Sequence, residues 1–292
     1  TSDENCFLAA PDVDTPLHVA IDTMSAFENL TVMCSRPDGY VLQVDGDLQK
    51  RGCFSGEMNV QVRNKGSVRM KDLQVRDEVL SGYGAYRKPV FEPVYSFGHL
   101  HKTVRMEYLQ LFTAHSKLEV TDNHLVYING RKVPVRADVV QVGDVLTGNG
   151  NVIRIGKTER QGAYLPLTAS GKIVVNNVLA STYISIGTEA PNIASKLFMI
   201  GEHTLFHTWL APYRMMCALS SNLCLHNNAS AKEEDGILSW LHAGLALVEF
   251  GESLPFAVQV LGVGIGLVVL AIFAVLEFLF GSWQGLFVAA FL

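Results

Sequence analysis

Short runs of β-branched and aliphatic residues, broken by glycine, asparagine and proline, fill the stretch from residue 53 to about residue 186. Runs of this length between turn formers predict β-strands, because branched side chains pack well on a pleated surface. The clearest predicted strands are residues 60–63, 117–120, 124–128, 152–155 and 172–175. The pattern therefore predicts an all-β domain over residues 53–186.

An internal repeat lies inside this stretch. Residues 71–82 resemble residues 137–148 in their aspartates, their apolar positions and their closing glycine. Two related β subunits joined in one chain would produce such a repeat. The alternative is chance similarity between two turn sequences.

The pattern becomes helical after the β region. Apolar residues recur every three or four positions over residues 191–225, and residues 237–248 have the pattern of an amphipathic helix capped by Asp235. From Phe256 to Leu276 only Gln259 is neither apolar nor glycine. A helix of this length measures roughly 31 Å, about the hydrocarbon thickness of a bilayer.

We therefore predict a transmembrane helix over residues 254–280, with a buried core helix as the alternative. Gly262 and Gly266 form a Gly-xxx-Gly pair suited to close helix contact. Lysine and arginine are absent from both flanks, so the charge distribution does not fix an orientation in the membrane.

Composition and charge narrow the classes of function. The formal net charge is −5 and no Lys/Arg-rich run occurs, which excludes a basic nucleic-acid-binding surface. Five cysteines are too few for a dense disulfide framework, although Cys6 could pair with Cys34 and Cys217 with Cys224. The glycosylation triplets at residues 29–31 and 228–230 are compatible with a secretory route.

Cys53 lies at the start of the predicted β region, directly after Gly52. A thiol is the strongest side-chain nucleophile near neutral pH once its thiolate is favoured. Attack of Cys53 on the carbonyl of Gly52 would convert the peptide bond into a thioester, and a glycine permits the close approach that this step requires. The alternative for an isolated triplet of this kind is a buried structural cysteine.

Thr121 and His124 are the second candidate pair. A threonine and a histidine three residues apart, on a turn after a predicted strand, can both face one peptide bond. His124 can protonate the departing nitrogen, and Thr121 can hold the carbonyl or the turn. The alternative is an Asx-type turn with a hydrogen-bonded core histidine.

Four blocks of the sequence resemble the autoprocessing region of hedgehog proteins and occur in the family's order. They are Gly52-Cys53-Phe54, the Thr-x-x-His of Thr121 and His124, residues 162–181, and the His-Thr-Trp-Leu-Ala-Pro-Tyr-Arg of residues 207–214. The resemblance implies a mainly β, pseudo-two-fold horseshoe, the Hint fold shared with inteins, followed by C-terminal helices. It implies that Cys53 is the nucleophile and that Thr121 and His124 drive the acyl shift.

The resemblance also implies a second step, in which the hydroxyl of cholesterol attacks the thioester, so that a sterol is the candidate acyl acceptor and no cofactor is expected. Two positions depart from the family. Thr182 stands where the family has a second active-site cysteine, and His99 falls where the family has an aspartate that helps to deprotonate the sterol. Histidine can also act as a base, so His99 could still deprotonate a sterol. The alternative is that water, and not a sterol, attacks the thioester.

These expectations divide the chain into four parts: residues 1–52, the end of an upstream module that is released; residues 53–186, the Hint domain; residues 187–250, an extension similar to the family's sterol-recognition region; and residues 254–280, the transmembrane helix. The expected partners are the chain's own N-terminal segment as substrate, a lipid bilayer and a sterol. The expected location is a membrane of the secretory pathway or the cell surface.

Three other functions are alternatives to self-cleavage. Intein-like splicing needs Asn followed by Ser, Thr or Cys at a C-terminal junction, whereas Asn177 precedes Val178 and Asn227 precedes Asn228. A Cys–His protease acting in trans would have no reason to place its nucleophile directly after Gly52. A non-catalytic, membrane-tethered protein that displays residues 1–52 is the main alternative.

Overall fold

A computed structural model describes residues 5–10, 13–16, 31–35, 41–45, 53–185, 201–220, 224, 237–241 and 256–291. The chain forms two compact units, Thr1–Arg51 and Gly52–Leu292. Within the described residues, side chains are placed from Cys53 onward, and in the last helix they are placed at residues 262 and 264–281. Gly52, Asp235 and residues 242–248, which carried sequence predictions, lie outside the described residues.

The first unit contains an antiparallel sheet that the sequence pattern did not predict. Its strands are β1 (Asn5–Ala10), β2 (Val13–Pro16), β3 (Thr31–Ser35) and β4 (Val41–Asp45), in the order β2-β1-β3-β4. The register places Cys6 opposite Cys34, which is the pairing that the sequence left open. The side chains of this sheet lie outside the description, so the disulfide stays a prediction.

The second unit begins with the predicted all-β region, and the structure confirms a mainly β fold there. The largest sheet has the order β12-β11-β17-β16-β5-β7-β8, with β6 paired to β5; a second sheet has the order β10-β9-β15, and β13 pairs with β14. The strands are β5 (Asn59–Val62), β6 (Gly66–Arg69), β7 (Glu78–Tyr83), β8 (Pro89–Pro93), β9 (Ser96–Phe112), β10 (Lys117–Val120), β11 (His124–Val126), β12 (Val135–Arg136), β13 (Val145–Leu146), β14 (Gly150–Asn151), β15 (Arg154–Leu167), β16 (Lys172–Val175) and β17 (Val178–Ile184).

A long antiparallel ladder between β9 and β15 crosses this unit. Its outer part is largely exposed, whereas residues 96–99 of β9 and residues 162–167 of β15 are buried. The register slips at Gly162, whose φ of 87° is a conformation that glycine adopts without a Cβ clash. This slip carries the inner end of the ladder into the core, where His99 lies opposite Leu165.

The internal repeat is visible as two equivalent turns. The Gln74 amide donates to the carboxylate of Asp77 at 3.0 Å, and the Gln141 amide donates to that of Asp144 at 2.9 Å. A 3-10 turn precedes each pair, at Met70–Asp72 and at Ala137–Val139. The structural correspondence in these turns is one residue further along than the ungapped sequence comparison placed it.

Among the described residues the second unit has two large hydrophobic clusters and a small one around Cys53. The larger of the two large clusters fills the β-core around Phe54, Val120 and Tyr164. The smaller of the two lies beneath two helices, α1 (Glu202–Trp209) and α2 (Ala211–Leu219), and joins strand residues to helix residues. Its buried members are Leu125, Leu167, Tyr183, Leu210, Tyr213, Cys217, Cys224 and Leu238. Cys217 and Cys224 form a disulfide, which is the second pairing that the sequence left open.

The apolar C-terminal run forms one helix, α3 (Phe256–Phe291), which extends beyond the predicted end at residue 280. Among the described residues it is the one helix whose length and composition would allow it to cross a membrane, over Gly264–Gly281. None of this window is buried within the protein, which does not fit the alternative of a buried core helix. One face nevertheless packs on α2, where Arg214 donates two hydrogen bonds of 2.7 Å to the carboxylate of Glu277.

Candidate active site

Cys53 lies fully buried at the entrance to the β-core. The residue after it, Phe54, bridges two strands: its amide donates to the Tyr164 carbonyl at 2.9 Å, and it also pairs with Val120. The thiol packs against Tyr108, whose hydroxyl donates to the Gly162 carbonyl at 2.6 Å. Burial raises the pKa of Tyr108, so this neighbour of the thiol stays neutral.

Thr121 holds the backbone of Cys53 from both sides. The Cys53 amide donates to the Thr121 hydroxyl at 2.9 Å, and the Thr121 amide donates to the Cys53 carbonyl at 3.1 Å. The same hydroxyl donates its own proton to the side-chain oxygen of Asn123 at 3.0 Å. The Thr121 hydroxyl thus binds the backbone nitrogen of Cys53 and, through Asn123, the turn, while its predicted contact with the Gly52 carbonyl stays a prediction.

His124 completes this turn and lies against the next residue of the strand. Its amide donates to the Thr121 carbonyl at 3.2 Å, and its ring lies 4.2 Å from the ring of Phe54, centroid to centroid. The ring nitrogen Nε2 is 3.0 Å from the Ser181 carbonyl. A carbonyl can only accept, so Nε2 carries the proton and Nδ1 is the basic nitrogen.

The electrostatics of His124 follow from its complete burial. Burial lowers the pKa of His124 to about 4, although the hydrogen bond to the Ser181 carbonyl opposes that shift. The ring is therefore neutral at pH 7. Its Nδ1 atom is buried and has no hydrogen-bond partner within the part of the chain that the structure describes.

His99 approaches the thiol from the other side. Its Nδ1 atom is 2.7 Å from the sulfur of Cys53, and its ring is only 2% exposed. Residues 237–241 cover this histidine: Ile237 bridges to His99, and the Leu238 amide donates to the Gly98 carbonyl at 2.9 Å. Gly98 suits this contact because an added Cβ would lie 3.0 Å from Leu241.

The structure thus brings Cys53, Thr121, His124 and His99 together, while Gly52 lies outside the described residues. The family model described as "Hint module" matches residues 45–248. The chain belongs to the Hint module family.

Several hedgehog-type proteins resemble this Hint domain. Warthog protein 6 of Caenorhabditis elegans is 33% identical over 152 residues, which cover 47% of this chain and 25% of that protein. Sonic hedgehog protein of Xenopus laevis is 29% identical over 186 residues, which cover 58% of this chain and 38% of that protein. The chain therefore matches well under half the length of these curated relatives.

Solved intein structures are also similar to the Hint domain. A DnaB intein from Synechocystis sp. PCC 6803 is 16% identical, with a TM-score of 0.39, and the match covers 46% of this chain and 99% of the intein. A bacterial intein-like domain from Clostridium thermocellum is 19% identical, with a TM-score of 0.34, over 45% of this chain and 98% of that domain. Family membership supports autoprocessing as the general activity of this Hint domain.

The first departure from the hedgehog pattern, Thr182, lies on β17 beside Ser181, whose carbonyl binds His124. The Thr182 side chain is fully buried, and its hydroxyl has no hydrogen-bond partner among the residues that the structure describes. A threonine therefore occupies this position as a polar but weakly nucleophilic neighbour of the histidine.

Sequence reasoning missed two supporting groups, Asn123 and Ser181. Asn123 was visible between Thr121 and His124, and its type at a turn was a usable signal. Ser181 acts on His124 through its backbone carbonyl, which no side-chain pattern reveals. No cluster of three or more metal-binding side chains occurs among the described residues.

Proposed function

We propose that this Hint domain cleaves its own chain between Gly52 and Cys53 through a thioester. The observation that carries the proposal is that the two reacting atoms of Cys53 have separate partners. Its sulfur lies 2.7 Å from His99 Nδ1, while its backbone nitrogen donates to the Thr121 hydroxyl at 2.9 Å. A nucleophile and a leaving group on one residue are thereby each held by a polar group.

In the first step the S–H bond of Cys53 breaks and His99 Nδ1 takes the proton. The sulfur forms a bond to the Gly52 carbonyl carbon, and the C–N bond to Cys53 then breaks. His124 is neutral because its pKa is about 4, and its basic Nδ1 relays to the departing nitrogen the proton that the thiol gave up. One proton leaves the sulfur and one reaches the nitrogen, so the step balances and both histidines end neutral.

In the second step an acceptor hydroxyl attacks the thioester. Its oxygen bonds to the Gly52 carbonyl carbon, the C–S bond breaks, and the hydroxyl proton passes by way of His99 to the sulfur, which restores the thiol. We propose a sterol-like alcohol as the acceptor. Residues 237–241, which contact His99, carry the apolar Trp240 against Trp209 beside the reacting centre.

The membrane assignment belongs to the same proposal. The outward side chains of α3 are apolar and exposed along Gly264–Gly281, for example Ile265, Ile272 and Phe278. A bilayer would cover this surface and would also dissolve an apolar alcohol close to the centre. We therefore place the protein at a membrane of the secretory pathway or the cell surface.

The test is expression of the full chain followed by denaturing electrophoresis and intact-mass measurement. The proposal predicts fragments 1–52 and 53–292, faster release with dithiothreitol or hydroxylamine, and no cleavage in Cys53→Ala. His99→Ala should slow thioester formation, because it removes the base of the first step, and should also block the second step. His101→Ala, two residues further along the same strand, should cleave like wild type.

The mass of the released fragment identifies the acceptor. A sterol-sized addition supports transfer to a sterol, and the free acid means that water is the acceptor. An intact chain in wild type and Cys53→Ala alike, with no response to thiol reagents, would leave the non-catalytic tether as the function.

A further inference from the structure

Two histidines of α1 contact alternate residues of β17. His203 Nδ1 lies 2.9 Å from the Ser181 hydroxyl, and His207 Nδ1 lies 3.0 Å from the Tyr183 hydroxyl. The two rings are parallel within 7°, with centroids 5.9 Å apart. Neither histidine touches Cys53 in any contact that the structure records, so the reaction as described does not use them.

The direction of the hydrogen bonds at Ser181 can be assigned. Its hydroxyl oxygen accepts from the Tyr183 amide at 3.0 Å, and a hydroxyl has one proton to donate. His203 Nδ1 lies within reach of that proton, and we assign it as the acceptor, with the ring's own proton on Nε2; the Tyr127 hydroxyl lies 3.5 Å from the same nitrogen. The side chain of Ser181 is thereby fixed between β17 and α1.

Ser181 also contacts the predicted active site. Its backbone carbonyl, fully buried with the rest of the residue, accepts the Nε2 proton of His124 at 3.0 Å. A carbonyl at this position keeps His124 in one tautomer and leaves Nδ1 as the basic nitrogen. The orientation of the Ser181 peptide therefore matters for the ring that serves the acyl shift.

We propose that His203 is a positioning residue for the acyl shift, which holds the Ser181 peptide so that its carbonyl keeps His124 in the Nε2–H tautomer. The inference rests on the proposed function, in which His124 Nδ1 passes a proton to the departing nitrogen. It gives α1 a part in the reaction, since the helix contributes the partner of the Ser181 hydroxyl, in addition to the ladders with β11 and β16 that hold the strand.

His207 supplies a matched control within the same cluster. It lies one helical turn after His203 and makes the same type of bond, but its partner is the side chain of Tyr183, not the residue whose carbonyl binds His124. A purely structural role for the histidine pair predicts equal effects of removing either one. A positioning role predicts an effect at His203 alone.

The test measures dithiothreitol-induced cleavage of the full chain, which reports thioester formation whatever the natural acceptor is. His203→Leu should slow cleavage about fivefold to tenfold, the value of one buried neutral hydrogen bond. His203→Asn should remain within about twofold of wild type, because the Asn side-chain oxygen reaches as far from Cβ as Nδ1 does and accepts the same proton. His207→Leu should also remain within about twofold.

A second readout follows His124 directly. In a Cys53→Ala background, the nitrogen-15 chemical shifts of the His124 ring should report a single Nε2–H tautomer in the otherwise unchanged chain and in His203→Asn, and a mixture in His203→Leu. Equal slowing by His203→Leu and His207→Leu, or an unchanged tautomer in His203→Leu, would overturn the inference. Cleavage that persists in Cys53→Ala would instead refute the proposed function, and the tautomer measurement would still decide the role of His203.

Discussion

Acid should unfold the junction between the β-core and the helices before it affects the rest of the Hint domain. Three histidines lie in or beside that junction, and burial is the largest cause that lowers the pKa of each one. The pKa is about 4 for His124 and His203 and about 3 for His207, against a usual value near 6.5. Each is therefore neutral in the folded protein at pH 5 and largely protonated in the unfolded chain.

The sign of the effect follows from proton counting. Between the usual pKa and the lowered one, the unfolded state binds more protons, so the free energy of unfolding falls as the pH falls through this window. Each histidine loses about 1.4 kcal/mol per pH unit where the difference is one proton. From pH 7 to pH 5 the three together lose up to about 5 kcal/mol, comparable with the whole stability of a domain.

The buried Glu119 titrates in a different window and does not confuse the measurement. Burial alone would raise its pKa, but hydrogen bonds from Arg160 and Lys117 lower it to about 2. A carboxylate with a lowered pKa loses its contribution only as the pH falls below its unfolded value, near 4.5. Loss between pH 7 and pH 5 therefore does not come from Glu119.

The assay is urea unfolding of the full Cys53→Ala chain in detergent at several pH values. Tryptophan fluorescence monitors the unfolding, because Trp209 and Trp240 pack against the smaller hydrophobic cluster beneath α1 and α2. The double variant His203→Asn/His207→Asn keeps polar side chains but cannot titrate, so it should recover about two thirds of the acid loss. If the stability is the same at pH 7 and pH 5, or if the double variant is as acid-labile as its parent, the reasoning is wrong.

Three further predictions test other contacts. Arg214→Leu should lower the free energy of unfolding in denaturant by about 3–5 kcal/mol, because it leaves Glu277 without its charge partner. Adding Glu277→Leu should restore most of that stability, and equal instability of the single and double variants would contradict a stabilising ion pair. Thr121→Val should slow dithiothreitol-induced cleavage by about tenfold or more, while the rate of Thr121→Ser should stay within a few fold of wild type, since only valine lacks the hydroxyl. Equal rates for the two variants would show that the Thr121 hydroxyl has no role in the reaction. Gly171→Ala should destabilise the protein by about 2 kcal/mol and so lower its melting temperature, because the added Cβ would lie 2.5 Å from the Tyr183 ring at a φ of 68°. An unchanged melting curve would contradict the close packing there.

The β region and its core were predictable because they depend on local pattern. Alternation and branching mark the strands, and the Gly-Cys and Thr-x-x-His elements mark the centre. The mutual position of Cys53 and His99 was not derivable from local pattern, because it depends on the register of β9 against β15 and on the slip at Gly162. His99 was predicted only through resemblance to the hedgehog family.

The helical region was predictable in kind but not in its contacts. Periodicity indicated helices over residues 191–225 and an apolar helix near the C-terminus. It did not indicate that Glu277, the only charged residue in residues 256–291, pairs with Arg214. A single carboxylate in an apolar run looks like an exception to the pattern, and its partner lies in another helix, so no window of sequence contains the pair.

The contacts between the β-core and the helices α1 and α2 bear on the proposed reaction. Strand β17 contributes the Ser181 carbonyl that binds His124 and the Tyr183 ring that contacts α1. The second cluster is built jointly by residues on both sides of residue 186. In the proposed reaction, a change in the packing of α1 would therefore reach His124 by way of Ser181 on β17.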